Sequence, residues 1–172
     1  SSGSLSTASQ SITVARADQE ALSLTSISGT YGAALTLTTN GGSGTGATTY
    51  VVVNGTATGC AESGGVLTVT AAGTCIVTAT KALDTNYNAV SSSATTVTFA
   101  KAVQASLTLT STTGTYGATI TLAFNGGSGT GSISYSVSGT GCSISSGVLS
   151  RTAAGDCLVT VTKATDTNYE AA

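Results

Sequence analysis

Hydrophobic and polar residues alternate along this chain in short runs, and nowhere do they recur at the three-to-four spacing of an amphipathic helix. Over residues 22–26, 34–39, 48–53, 66–70, 75–81 and 94–100, leucines, valines, isoleucines or alanines are interleaved with threonines and serines. A period of two places one set of side chains on each face of a pleated strand, so these six stretches are predicted strands with one buried and one solvated face. Leu22, Leu24, Leu35, Leu37, Val66, Val69 and Ile76 supply the expected core face. The segments between them, such as Asn40-Gly41-Gly42-Ser43-Gly44 and Ala71-Ala72-Gly73, carry the small and positive-φ residues that chain reversals need.

The pattern occurs twice. Thr30-Tyr31-Gly32-Ala33 returns as Thr115-Tyr116-Gly117-Ala118, 85 residues on, and residues 40–46 return as 125–131. Farther along, Thr70-Ala71-Ala72-Gly73 matches Thr152-Ala153-Ala154-Gly155, and Asp84-Thr85-Asn86-Tyr87 matches Asp166-Thr167-Asn168-Tyr169, now 82 residues apart. The second copy is thus shorter between Val137 and Cys142 than the first is between Val52 and Cys60. An odd shift inside a strand would turn every later side chain to the wrong face, so the change belongs in a loop, and Asn54-Gly55-Thr56 is expected at an exposed loop tip. A period this long suits a self-contained sandwich better than a solenoid unit. The expected architecture is all-β, two tandem immunoglobulin-like antiparallel β-sandwiches: residues 1–15 an N-terminal strand, 16–101 the first domain, and 102–172 a second domain lacking its last strand.

Composition narrows the function classes. Charged residues make up 7% of the chain and the net charge is −2, with no basic stripe to displace counterions from a nucleic acid. No apolar run approaches the roughly 20 residues that span a bilayer as a helix, so membrane insertion is not expected. There is no histidine, and the carboxylates stand apart from one another, which leaves no pair of titratable groups for acid-base catalysis. Accordingly no catalytic residue, metal or cofactor is expected. Proline is also absent, so sheet edges must be protected by glycines, bulges or lysines.

In order, the Thr-Tyr-Gly near the first strand, the glycine-rich run before Tyr50 and Tyr135, the hairpin from Gly65 through Thr74, and the closing Asp-Thr-Asn-Tyr resemble the bacterial immunoglobulin-like repeats found in tandem in large surface proteins and adhesins. The resemblance implies an extracellular spacer or fibre module at the bacterial surface, without catalytic residues. Its cysteines and lack of proline depart from the usual pattern.

Cys60 and Cys75 are separated by the same interval as Cys142 and Cys157, too wide for a C-x-x-C redox or zinc half-site. One disulfide in each copy is favoured over free thiols or a metal site, and suits an oxidising compartment. In a plain meander these cysteines would lie about 10 Å apart, two strand spacings, whereas a bridge needs Cα atoms within about 7 Å. The segment bearing Cys60 is therefore expected to leave the sheet of its neighbours. Asp84 with Asn86, and Asp166 with Asn168, are read as turn residues bonding their own backbone rather than as calcium ligands. Asn54-Gly55-Thr56 also matches an N-glycosylation acceptor.

Two readings of function follow. In the first, the chain is a structural stalk or fibre subunit whose partners are neighbouring repeats or copies of itself end to end. In the alternative, it is an adhesin module whose loops at 41–46 and 54–59 hold a glycan or a surface protein. The first carries a specific expectation. Ile12-Thr13-Val14-Ala15 aligns with Val97-Thr98-Phe99-Ala100, so residues 9–15 form a spare strand, with Ile12 and Val14 facing in, while the second copy has a place for one. Donation of that strand to the next molecule would give an open head-to-tail filament.

Overall fold

A computed structural model describes residues 7–172; residues 1–6 of the expected N-terminal strand lie outside the described residues. The described chain is all β, with no helix and several sheets. Its first ten strands are β1 (Ser23–Leu24), β2 (Ser28–Thr30), β3 (Leu35–Thr36), β4 (Thr39–Asn40), β5 (Thr48–Asn54), β6 (Ala61–Ser63), β7 (Val66–Thr68), β8 (Gly73–Lys81), β9 (Val90–Ser91) and β10 (Thr95–Ala100). The rest are β11 (Thr108–Leu109), β12 (Ile120–Thr121), β13 (Phe124–Asn125), β14 (Ile133–Ser138), β15 (Cys142–Ser145), β16 (Val148–Arg151) and β17 (Leu158–Lys163).

Strands β2, β10, β8 and β5 lie side by side in that order, with β9 also on β8. Strands β3, β7 and β6 form a second sheet, and β1 pairs with β4. Between them the side chains of Leu24, Leu37, Leu67, Val77, Val97 and Phe99 meet in one buried cluster. The alternation in β8 and β10 accounts for this: Cys75, Val77, Ala79, Val97 and Phe99 are buried, and the threonines between them are not. The described strand ladders of residues 23–100 and those of 108–163 never mix.

The structure departs from the expected strands in three respects. The stretch 34–39 is split, because β3 pairs with β7 while β4 pairs with β1; Leu37 sits at the crossing, its N–H donating to Gly65 O at 2.8 Å. The architecture is not wholly antiparallel, since β2 runs parallel to β10 with Phe99 opposite Gly29. The segment at Cys60 lies outside the sheet of β8 but does not leave the Val66 strand, because β6 stays paired with β7. Strand β7 belongs with β6 and β3, so the Cys60–Cys75 disulfide, with Cα atoms 6.0 Å apart, ties the start of β6 to a strand of the other sheet. Cys142, at the start of β15, is bridged to Cys157, just before β17, with Cα atoms 5.9 Å apart.

Residues 54–56 are exposed but held. Gly55 N–H donates to Thr74 O at 2.8 Å, Thr56 N–H to Thr74 Oγ1 at 2.9 Å, and Asn54 Oδ1 accepts the Cys60 N–H at 2.9 Å. The glycine-rich turns are equally constrained. Gly41 has a φ of 86°, and a side chain there would run into the Ala21 carbonyl oxygen; Gly126, at 95°, stands in the same relation to Ser106.

Candidate assembly interface

The strand pairings of the second half follow those of the first, except that β2, β9 and β10 have no described counterpart. Strand β8 begins at Gly73, but its counterpart β17 begins only at Leu158, three residues late. In the first half Gly73 and Thr74 are held in the ladder by Phe99 and Thr98 of β10. The second half has no described strand in the place of β10, so Gly155 and Asp156, which correspond to Gly73 and Thr74, are not in strand. Residues 113–115, the counterparts of β2, are likewise irregular. Strand β2 pairs only with β10, so its regularity depends on β10.

A groove of about 520 Å³ occupies this place, lined among others by Gly114, Ile120, Arg151, Cys157 and Leu158. Leu158 is 72% exposed. The core beneath is opened too, for Val159 and Cys157 are half-buried where Val77 and Cys75 are fully buried. Ile120 leans into the space before Gly114, the space that the Phe99 ring fills before Gly29. Arg151 stands where the first half has Val69, and its Nε has no hydrogen-bond partner.

The other component lies at the N-terminal end of the described chain. Residues 7–16 form no strand, and every one of them is exposed. Ile12 and Val14 are 86% and 89% exposed, although their spacing is that of the two β10 residues buried in the first half. Immersing two such side chains stabilises an assembly by about 1.5–3 kcal/mol each. Transferring the β10 register by the repeat offsets sets Ile12 beside Cys157, and Val14 beside Gly155 and Gly114. Val14 is smaller than Phe99, and Ile120 already takes part of the Phe99 seat.

The Asp-Thr-Asn-Tyr turns are anchors at the ends of each half. Asp84 accepts hydrogen bonds from the N–H groups of Thr45, Asn86 and Tyr87 and from the Thr45 hydroxyl. These donors, Thr45 N–H foremost, hold the carboxyl at about 2, below its ordinary 3.8; Asp166 is held likewise at about 2 by Thr130, Asn168 and Tyr169. Both oxygens of each aspartate are thus engaged by protein donors, which is the turn reading rather than a calcium shell. Beside them Gln104, only 5% exposed, donates to Ala164 O and Glu170 O and accepts from Gly129 N–H, and Gln19 makes the same three contacts in the first half. Sequence reasoning passed over both glutamines; their signal was that they recur 85 residues apart.

The halves touch through the second of these turns, which meets Ala72 and Tyr31 of the first half. Ala72 N–H donates to Asn168 Oδ1 at 3.0 Å, and the Tyr31 and Tyr169 rings meet edge to face with centroids 5.6 Å apart. Against protein-family models, curated proteins and solved structures alike, the chain has no match.

Proposed function

We propose that the chain is an extracellular structural module built from two tandem immunoglobulin-like sandwiches, of the kind it resembles in bacterial surface proteins. It works as a stalk or fibre subunit that joins its neighbours head to tail by strand donation. Residues 9–15 of one molecule enter the groove beside Leu158 of the next and complete its second sandwich. The observation that supports this reading is the pairing of an exposed segment, Ile12 and Val14 at the spacing of Val97 and Phe99, with a groove lined by Gly114, Gly155 and Cys157, the counterparts of residues beside β10. A free strand edge beside exposed apolar side chains favours β-augmentation. The two disulfides suit an oxidising compartment.

A strand following Ala172 in a longer chain is the competing occupant of the groove. Chains with and without residues 1–15 are compared by electron microscopy and sedimentation. Filaments that require residues 1–15, and that vanish in the Ile12→Asp, Val14→Asp variant, support donation. Filaments that persist without the segment, or an intact chain that stays monomeric at millimolar concentration, refute it.

A further inference from the structure

We infer that Asn54 carries an N-linked glycan, and that this glycan covers the free edge of β5 with its exposed valines. The inference is independent of strand donation, because it concerns the middle of the first half and neither end of the chain. Three observations carry it.

The first is an edge without the usual guards. Strand β5 lies at the end of its sheet beyond β8, and no described strand pairs with its other side. Its register with β8 is continuous from Thr48 opposite Lys81 to Asn54 opposite Cys75, so no bulge interrupts it. It contains neither a charge nor a proline. On its outward face Val51 and Val53 are 66% and 55% exposed, with Thr78 and the half-buried Ile76 opposite them. A long, apolar, uncharged edge is a template for a foreign strand, and natural sheets cover or charge such edges.

The second is the contrast between the two copies. Strand β14 stands where β5 does, and its outward positions are Ser134, Ser136 and Ser138 in place of Thr49, Val51 and Val53. The counterpart of Asn54 is Gly139, and the loop from there to the cysteine is shorter. Asn54 is also the one asparagine of the chain followed two residues on by a serine or threonine, the spacing that N-glycosylation requires. The half with exposed valines holds the acceptor motif, and the half with serines has none.

The third is the geometry of Asn54 itself. It is exposed at the end of β5, and its Oδ1, which accepts the Cys60 N–H at 2.9 Å, is its one bonded side-chain atom among the described residues. Packing does not call for an asparagine there, since in the second half the Gly139 carbonyl accepts the Cys142 N–H at 3.3 Å. In the transfer, Asn54 Nδ2 attacks the anomeric carbon of a glycosyl diphosphate. A carbon–nitrogen bond forms and the bond from that carbon to the phosphate oxygen breaks; the diphosphate leaves with the electron pair, and a base on the transferase takes one Nδ2 proton. The linked amide keeps Oδ1 and one N–H, so the bond to Cys60 survives. A sugar chain at this point is bulky and solubilising, and stands beside Val53.

The fold also sets when transfer happens. In the folded chain the Thr56 hydroxyl oxygen accepts the Thr74 N–H at 2.9 Å and lies 3.1 Å from Thr74 Oγ1. Thr74 O accepts from Gly55 and Ala57, and Ala57 is buried in the core. Thr74 adjoins Cys75, so the loop that withdraws Thr56 is the one the Cys60–Cys75 disulfide closes. Transfer therefore precedes that disulfide.

The full chain recovered from its own cells is digested, and the peptide bearing Asn54 is weighed before and after an N-glycan amidase, which leaves aspartate at that position. A sugar mass that the amidase removes is expected; several sugars mark a lipid-linked diphosphate donor, and a single sugar a nucleotide-linked one. An unmodified Asn54 overturns the inference. With an asparagine oligosaccharyltransferase and its lipid-diphosphate oligosaccharide, the reduced chain should be modified more than tenfold faster than the oxidised chain, in which reaching Thr56 breaks several hydrogen bonds. Equal rates overturn the order of events. Asn54→Gln, neutral but without the sugar, should lose at least tenfold in solubility, as should the folded chain after amidase treatment, and adding Val51→Ser and Val53→Ser should restore it. Bare chains as soluble as the glycosylated one show that the sugar does not cover β5.

Discussion

The Phe99 ring lies in front of Gly29, so close that a Cβ on that glycine would stand 2.9 Å from the ring. Strand β10 is thereby fastened on both sides, to β8 by its antiparallel ladder and to β2 by a parallel pair that gathers around one aromatic side chain. Phe99→Ala should destabilise the first half by about 3–5 kcal/mol, the range for emptying a buried aromatic site. Urea unfolding followed by tyrosine fluorescence checks it. A loss below about 1 kcal/mol would mean that β2 and β10 hold without their shared residue.

The aspartate turns give the chain an acid limit. Asp84 and Asp166 have folded values of about 2 against an ordinary 3.8, so their contribution is complete above about pH 4 and is lost as the pH falls towards 2. Melting temperatures should be flat from neutrality to pH 4 and decline steeply below it. Asp84→Asn should lower stability at pH 7 and flatten that decline; an unchanged acid profile in the Asp84→Asn, Asp166→Asn double variant would show that other groups set it.

Arg151 occupies the place of Val69, which packs against the core in the first half. Its Nε is buried and unpartnered. Restoring the valine removes that unsatisfied donor, and Arg151→Val should stabilise the second half by about 1 kcal/mol. Thermal unfolding of the two proteins decides it, and a destabilised variant would show that the guanidinium stem packs better than it bonds.

Much of this fold was legible because the chain states it twice. The alternating apolar residues marked β5, β8 and β10, whose valines and threonines suit a pleated, half-buried surface. Strand β2 was illegible: Ser28-Gly29-Thr30 has no apolar alternation, and it becomes a strand only because Phe99 needs the space that Gly29 leaves. Strand β6 was missed for a related reason, since Ala61-Glu62-Ser63 is placed by the disulfide at Cys60 and by β7. Ile12 and Val14 were singled out by alignment alone, and in the structure they lie exposed and outside any strand.

The groove itself can be tested without any second molecule. Val90–Ser91 leads into β10 through Ser92, Ser93 and Ala94, and Ala172 corresponds to Val90, exchanging backbone bonds with Lys163 at 2.7 and 2.9 Å as β9 pairs with β8. A copy of residues 91–100 joined after Ala172 would therefore start in register and bring its Val and Phe to the seats proposed for Ile12 and Val14. Such a tether supplies the strand at an effective concentration on the order of millimolar, above that of donors from solution. The extended chain should unfold at a higher temperature in its second half, show amide protection at residues 155–157, and form no filaments even when residues 1–15 are intact. Equal filament growth with and without the extension would mean that the groove beside Leu158 is not where molecules join.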